Sequence, residues 1–511
     1  ALWGLRVLYD ALGGYPAELD SRYRFVVKAQ LSTDLLRFAE VGKEARVDRR
    51  NWGRASGWAD LDGDGDLDLV AGSVYGGVAV YRNDGGVFTD VTRESGITAP
   101  SAWSILLFDY DNDGDPDLYI ARDGWNGPAP NFLYRNDGKG HFTDVTAQAG
   151  VANAEGSSFS AAAADYDRDG WVDIFVANGA IGRGIESVLF RNNGDGTFTN
   201  VAARAGVNFR GRTIGSAWGD YDGDGFPDLL ISGEYNILYR NNGDGTFTDV
   251  SRSAGIGSPG PSYVCWFFDY NADRRLDIFI TAYGDFDNAL WSLAVGQSFV
   301  REEQPLLYRN NGDGTFTAVS RESGLNQSFG SMGGNFGDLD NDGYPEIYLG
   351  NGGAEIGRMD PDALFYNHGG KSFTNLAFAL GTAEVGKSHG VTFADYDGDG
   401  DLDVYVPVGG FTPGDAWTNR LFRNESRVGN SLTLRLRGTR SNRDGVGARV
   451  EVSTGTLDYV REVSVGGGFG STNPLEVQCG LGAQPQTPRK VSTISSAPQE
   501  RSLGVPRGYE K

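Results

Sequence analysis

Seven acidic nonapeptides recur along this chain, and they constrain its fold more than any other feature. The first is DLDGDGDLD from Asp60. DYDNDGDPD follows from Asp109, DYDRDGWVD from Asp165 and DYDGDGFPD from Asp220. DYNADRRLD begins at Asp269, DLDNDGYPE at Asp338 and DYDGDGDLD at Asp395, so successive copies start 49 to 69 residues apart. In a chain of 511 residues, such a recurrence points away from one ordinary core and toward a repeat architecture.

A second motif is interleaved with the first. LYRNDGKGHFTDVT starts at Leu133, LFRNNGDGTFTNVA at Leu189, LYRNNGDGTFTDVS at Leu238 and LYRNNGDGTFTAVS at Leu307, with looser copies at Val80 and Leu364. Its Asn-Gly and Asp-Gly pairs supply the positive φ of a tight hairpin, so it reads as strand, turn, strand. Short β-branched runs such as LDLVAG and VDIFVANG follow the acidic loops, and segments such as GSAWG precede them. One repeat is therefore four strands, and seven repeats predict an all-β, seven-bladed β-propeller. The last acidic loop is followed by RLFRN but by no FTDVT-like strand. RFAEVGKEARV (Arg37 to Val47) resembles VFTDVTRESGI at Val87 and is expected to complete the last blade.

In six of the seven nonapeptides, carboxylates occupy positions 1, 3, 5 and 9, and glycine occupies position 6. Like charges at this spacing are costly unless a cation neutralises them. Dense, hard oxygen donors suit Ca²⁺, with the position-7 carbonyl joining. The expected ligand sets are Asp60, Asp62, Asp64, Asp66 and Asp68 in the first loop and Asp109, Asp111, Asp113, Asp115 and Asp117 in the second. The third has Asp165, Asp167, Asp169, Trp171 and Asp173, and the fourth Asp220, Asp222, Asp224, Phe226 and Asp228. The sixth has Asp338, Asp340, Asp342, Tyr344 and Glu346, and the seventh Asp395, Asp397, Asp399, Asp401 and Asp403. The fifth loop has Asn271 at position 3 and Arg274 in place of glycine, with Arg275 beside it. It is expected to be weak or empty, or to hold an arginine where the metal would sit. About six calcium ions follow. Position 12 is apolar in every copy, from Ala71 to Val406, which excludes an EF-hand.

The formal charge of −23 argues against nucleic acid as a partner. No apolar run reaches the length that spans a bilayer. The first residues, ALWGLRVLYDALGGYP, lack an initiator Met and a signal-peptide pattern, so the numbering is expected to start after processing. Two cysteines, Cys265 and Cys479, leave two readings: buried thiols, or a bridge between them. The three histidines are His141 and His368 in glycine turns and His389 ahead of the seventh inner strand. GxSxG, HExxH and phosphate-loop motifs are absent from the sequence.

The repeat resembles the FG-GAP/VCBS repeat of integrin α-like propellers, and the LYRNNGDGTFTDVT form is similar to the cartilage acidic protein family. Asn430 to Gly455 and Arg461 to Gly482 resemble the ASPIC/UnbV domain that follows the propeller in that family. The resemblance implies a secreted or surface calcium-binding protein that works by adhesion or interaction, without a catalytic mechanism. It divides the chain into an extension (1–34), a propeller (35–427), a small β domain (428–482) and a polar tail (483–511). The family's further strand after GLG has no clear counterpart here, which predicts an open sheet edge. Arg22 to Ser32 has strand-like composition, so exchange of a terminal strand between subunits is one expected route to a homo-oligomer or polymer.

Strand direction puts the acidic loops and glycine turns on one face of the ring. The variable loops lie on the other, presenting Trp125, Trp291 and Trp417 to a protein or carbohydrate ligand. The alternative to a binding protein is a carbohydrate-active propeller enzyme of lyase or dehydratase type, with His389 at the channel mouth.

Overall fold

The computed structural model describes residues 36–122, 129–179, 184–257, 261–298, 300–355, 357–482, 490–494 and 501–502. Seven four-stranded antiparallel sheets form the blades of a β-propeller. In blade one the order from the channel outward is Gly53–Ala59, Asp68–Ser73, Val78–Asn83 and Phe88–Asp90. Blade seven takes its outermost strand from the other end of the chain. Phe38–Glu40 pairs with Arg420–Asn424, Phe38 opposite Asn424 and Glu40 opposite Phe422.

The blades are glued by residues the motifs repeat. The position-2 tyrosine of an acidic loop packs on the fourth-strand Phe of the next blade, as in Tyr166–Phe247 and Tyr221–Phe316, with ring centroids 5.7 and 5.5 Å apart. Such pairs contribute roughly 0.5–1.5 kcal/mol beyond their buried area. The asparagine of each YRN or equivalent triplet is a latch. Its backbone N–H donates to the position-9 carboxylate of its own blade, at 2.8 Å for Asn83 on Asp68 and 2.7 Å for Asn192 on Asp173. Its side-chain amide donates to a carbonyl in the preceding blade's acidic loop at 2.8–2.9 Å. The seven bonds are Asn83–Tyr396, Asn136–Leu61, Asn192–Tyr110, Asn241–Tyr166, Asn310–Tyr221, Asn367–Tyr270 and Asn424–Leu339.

Two departures from the strand reading sit in the connections. Most fourth strands end in a four-residue helical turn, such as Ala202–Ala205, closed by a left-handed residue such as Gly206 at φ 79°. The long fifth-blade loop contains a helix, Phe286–Val295, where a loop was expected. Asp285 caps it by accepting from the Asp287 N–H.

In the C-terminal domain, Asn430–Leu434 pairs with Val477–Gly482. Arg449–Ser453 lies between Asp458–Glu462 and Lys490–Ile494. The expected open edge is therefore corrected: the chain fills it with its own residues 490–494, and Arg501–Ser502 pairs outside them. Val491, Thr493 and Ile494 are β-branched, the composition a strand prefers, and the polar, proline-containing stretch before them had hidden the signal. Arg22 to Ser32 lies outside the described residues. Cys265 and Cys479 are buried free thiols, which removes the bridge reading.

The small domain sits on the acidic face and sends Val465–Asn473 (VGGGFGSTN) into the channel. The Ile105 N–H donates to the Gly470 carbonyl at 3.0 Å, and the Thr472 N–H to the Ser56 carbonyl at 3.0 Å. Asn473 accepts from Phe393 N–H at 2.9 Å and from the Asn335 side chain at 3.0 Å. Glycine is required for this approach: a Cβ on Gly470 would lie 1.9 Å from the Trp103 carbonyl oxygen. At the far end, Phe469 is 1 % exposed and packs against Trp103, Tyr263 and His389.

Candidate metal centres on the acidic face

Each acidic loop leaves an inner strand and turns back into the second strand. Its carboxylates first organise its own backbone. Asp220 accepts from the N–H groups of Gly223 and Gly225 at 2.8 and 2.9 Å. Asp224 accepts from Phe226 N–H at 2.9 Å. Asp228 accepts from Tyr221 N–H at 3.2 Å and Asn241 N–H at 2.8 Å. The same scheme holds Asp109, Asp113 and Asp117.

The carboxylates converge. Ligand-capable oxygens of Asp60, Asp62 and Asp64 lie within 4.8 Å of one another, as do those of Asp109, Asp111 and Asp117, Asp165, Asp167 and Asp173, and Asp220, Asp222 and Asp228. Burial pushes Asp68 up to about 7, and Asp165, Asp220 and Asp395 to about 6. Burial, then the neighbouring Asp444 charge, pushes Asp109 up to about 7.

Several of these oxygens are buried without a hydrogen-bond donor: Asp165 Oδ1, Asp167 Oδ1, Asp395 Oδ1, Asp397 Oδ1, Asp401 Oδ1 and Asp403 Oδ2. Asp165 and Asp403 are each 2 % exposed. A buried carboxylate oxygen without a donor is costly, and an all-oxygen donor set of this density fits a hard divalent cation such as Ca²⁺. At position 7, Asp66 turns its side chain to the glycine turn and accepts from Gly85 N–H at 2.9 Å. Trp171 and Phe226 likewise pack on Gly194 and Gly243. In these three loops the position-7 side chain is thus directed at the glycine turn.

The fifth loop differs in detail. Arg274 adopts φ 68° where the other loops use glycine. Its guanidinium lies 3.9 Å from Asp458 of the small domain, and Arg275 pairs with Asp273 at 3.2 Å. Asp269, Asp273 and Asp277 still converge.

The third-strand arginines were missed as part of the site. Arg191 Nε lies 2.6 Å from Asp167 Oδ2, and its Nη2 contacts Asp169. Burial, then a neighbouring aspartate, raises Asp62, Asp111, Asp222 and Asp397, and Arg82, Arg135, Arg240 and Arg423 offset part of that rise. In the sixth blade Tyr366 takes the role, donating to Asp340 at 2.7 Å. Their signal was the arginine that recurs inside the YRN or FRN triplet after six of the seven loops, 20 to 40 residues on from each loop's first aspartate.

The small domain touches all seven loops. Arg435 lies 3.3 Å from Asp60, and Asp444 accepts from Asp109 N–H at 2.7 Å. The Arg440 carbonyl packs on Gly170, and Glu462 faces Asp220 N–H at 3.4 Å. Val460 N–H donates to Asp269 at 3.1 Å, Arg461 lies 3.7 Å from Asp338, and Ser431 donates to the Gly400 carbonyl at 2.7 Å. A cavity of about 340 Å³ remains between the domains, with Asp60, Asp338, Asp395, Arg435 and Arg461 in its wall.

On the opposite face, Trp291 is 59 % exposed on its helix. Trp417 is half-buried and donates to Asp415 at 2.8 Å. Trp125 lies outside the described residues. His389 is buried under Phe469, its Nδ1 is 2.9 Å from the Lys387 carbonyl, and burial holds it well below the usual imidazole range. His368 bonds Thr374, and His141 lies by Asp137 in its turn.

The FG-GAP-like repeat matches residues 60–120, 109–176, 177–231, 229–280, 293–349 and 354–406, more than half of the chain. The chain belongs to the FG-GAP-like repeat family. Residues 438–494 match ASPIC and UnbV, a span that includes the strand Lys490–Ile494. Cartilage acidic protein 1 of Mus musculus is 27 % identical over 212 residues, covering 40 % of this chain and 32 % of that protein. The Homo sapiens protein is 26 % identical over the same length and shares. The chain thus spans about a third of these relatives. Among solved structures, exotype rhamnogalacturonan lyase YesX has a TM-score of 0.37 and 14 % identity, covering 83 % of this chain and 73 % of that one. The V. cholerae biofilm matrix protein Bap1 has a TM-score of 0.38 and 12 % identity, covering 84 % and 96 %. At these scores the likenesses say nothing of chemistry.

Proposed function

We propose that this FG-GAP propeller is a secreted or cell-surface calcium-binding protein that acts by adhesion, ligand binding or assembly. Calcium rigidifies the blades through six loops, and the loop at Asp269 is weak or empty. The observation that carries this reading is the convergence of carboxylates in loop after loop around one face, with buried, donor-free oxygens in the third and seventh. Extracellular calcium modules work at roughly 10⁻⁴–10⁻³ M, the range expected of these loops. No helix among the described residues is long and apolar enough to cross a membrane.

The binding reading draws further support from the channel. Phe469 fills the end where His389 could otherwise have met a substrate. The ligand, a protein or a carbohydrate, is assigned to the variable-loop face around Trp291. Calorimetric titration with calcium, repeated on a chelated sample by thermal melting, tests the metal part: unchanged melting in EGTA would sink it. Solid-phase binding to matrix proteins and glycans, with Trp291→Ala as the control, tests the ligand part.

A further inference from the structure

We propose that calcium in the acidic loops holds the C-terminal domain on the propeller, and that Asp444 and Glu462 make this docking depend on calcium. The inference rests on the calcium reading above and goes beyond it, since it concerns what the ions do between domains.

The charges at the interface carry it. Asp109 already begins a loop of five carboxylates, and Asp220 a loop of four. Onto these two loops the small domain places two more. Asp444 Oδ2 sits 2.7 Å from the Asp109 N–H, and both Glu462 oxygens lie 3.4 Å from the Asp220 N–H. Arg435 and Arg443 near Asp444, and Arg449 near Glu462, favour the charged carboxylates, but burial outweighs them at both points, so the approach of either carboxylate to an acidic cluster stays costly. A divalent cation in the loop reverses the sign, because the approaching carboxylate then meets a neutral or positive centre.

The other contacts respond differently. Arg435, near Asp60 and Glu476, and Arg461, near Asp338, attract an empty loop more strongly than a filled one. Arg435 has a side chain 61 % exposed, so water screens it. Arg461 is anchored independently, stacked over Tyr459 and donating to the Gly343 carbonyl. Arg443 donates its N–H to Asn112, and the Arg440 carbonyl packs beside Gly170, contacts insensitive to loop charge. The calcium-dependent share therefore falls on Asp444 and Glu462. Because the same domain carries Val465–Asn473, loss of docking also withdraws the segment that fills the channel.

Amide hydrogen exchange on the full chain tests this, with and without EGTA, alongside calcium titration of the same sample. The expected result is that chelation speeds exchange of residues 465–473 by roughly 5- to 150-fold, the usual range for two coupled sites, while Asp173–Asn178 in blade three stays protected. The double variant Asp444→Asn, Glu462→Gln should bind the same number of ions and keep 465–473 protected in EGTA. Arg435→Gln should enlarge the effect of chelation. Calcium binding with unchanged exchange of 465–473 overturns this proposal alone, as does a double variant that responds to EGTA like the unaltered chain. Absence of calcium binding overturns it together with the function reading.

Discussion

On the acidic face every blade presents a copy of the same nine residues. On the opposite face the connections run from the short Glu234–Asn236 turn of blade four to the helix-bearing 283–305 segment of blade five. The difference follows from how many neighbours each residue serves. An acidic loop shapes its own turn, accepts from the latch asparagine of its blade, offers a carbonyl to the next blade's latch, and meets the small domain. A change there disturbs four partners at once. A variable loop answers to far fewer, so its length varies from blade to blade, and Trp291 stands exposed on one of them.

Removing calcium should be the largest blow to that contrast. Each site filled at 100 times its Kd contributes about 2.7 kcal/mol, so EGTA should lower the melting temperature by many degrees in scanning calorimetry. The pH dependence should invert with it. Asp68 and Asp109 are held near 7, and Asp165, Asp220 and Asp395 near 6, by burial first. Groups raised in the fold favour it when protonated. The chelated protein should therefore be steadier near pH 5 than near pH 8, losing stability as pH rises through 6 and 7. The calcium-loaded protein should show the opposite slope, since protons then compete with the ion.

Smaller tests divide the two ends of the ring further. Phe469→Ala should cost about 3–5 kcal/mol in urea denaturation, the usual loss for a buried Phe, without changing calcium stoichiometry. Asn241→Ala should cost about 1–3 kcal/mol by stranding the Tyr166 and Pro227 carbonyls. Asp62→Ala should remove up to about 2.7 kcal/mol of calcium-dependent stability, whereas Asn271→Ala should shift melting within about 0.5 kcal/mol. Equal shifts for this last pair would show that the fifth loop holds metal as the others do.

Much of the acidic face was readable before any coordinates. A turn that must aim oxygens at one point needs carboxylates at fixed spacing, and the four-strand period repeats around it. The latch asparagines and the arginines beside them also recur, but nothing local says which neighbour they reach. The channel segment VGGGFGSTN was unreadable for a different reason. Its glycines signal a turn, and its strand-like pairing, Thr472 with Gly57 and Val465 with Ala163, exists only because the inner strands of the blades surround it. Lys490–Ile494 was hidden by polar flanks, and Phe286–Val295 by a short, weakly amphipathic pattern inside a loop.

The filled channel also dictates an order of assembly. Val465–Asn473 is synthesised after Arg420–Asn424, the third strand of the seventh blade. Until a ribosome has released residue 473, the inner strands enclose an empty hole lined by Trp103, Tyr263 and Trp266. A nascent chain stalled at that stage would carry all seven sheets and still present sticky aromatic surface to its neighbours. Filling the channel is then a threading event, and truncation between residues 424 and 465 should yield a chaperone client, not a smaller working propeller.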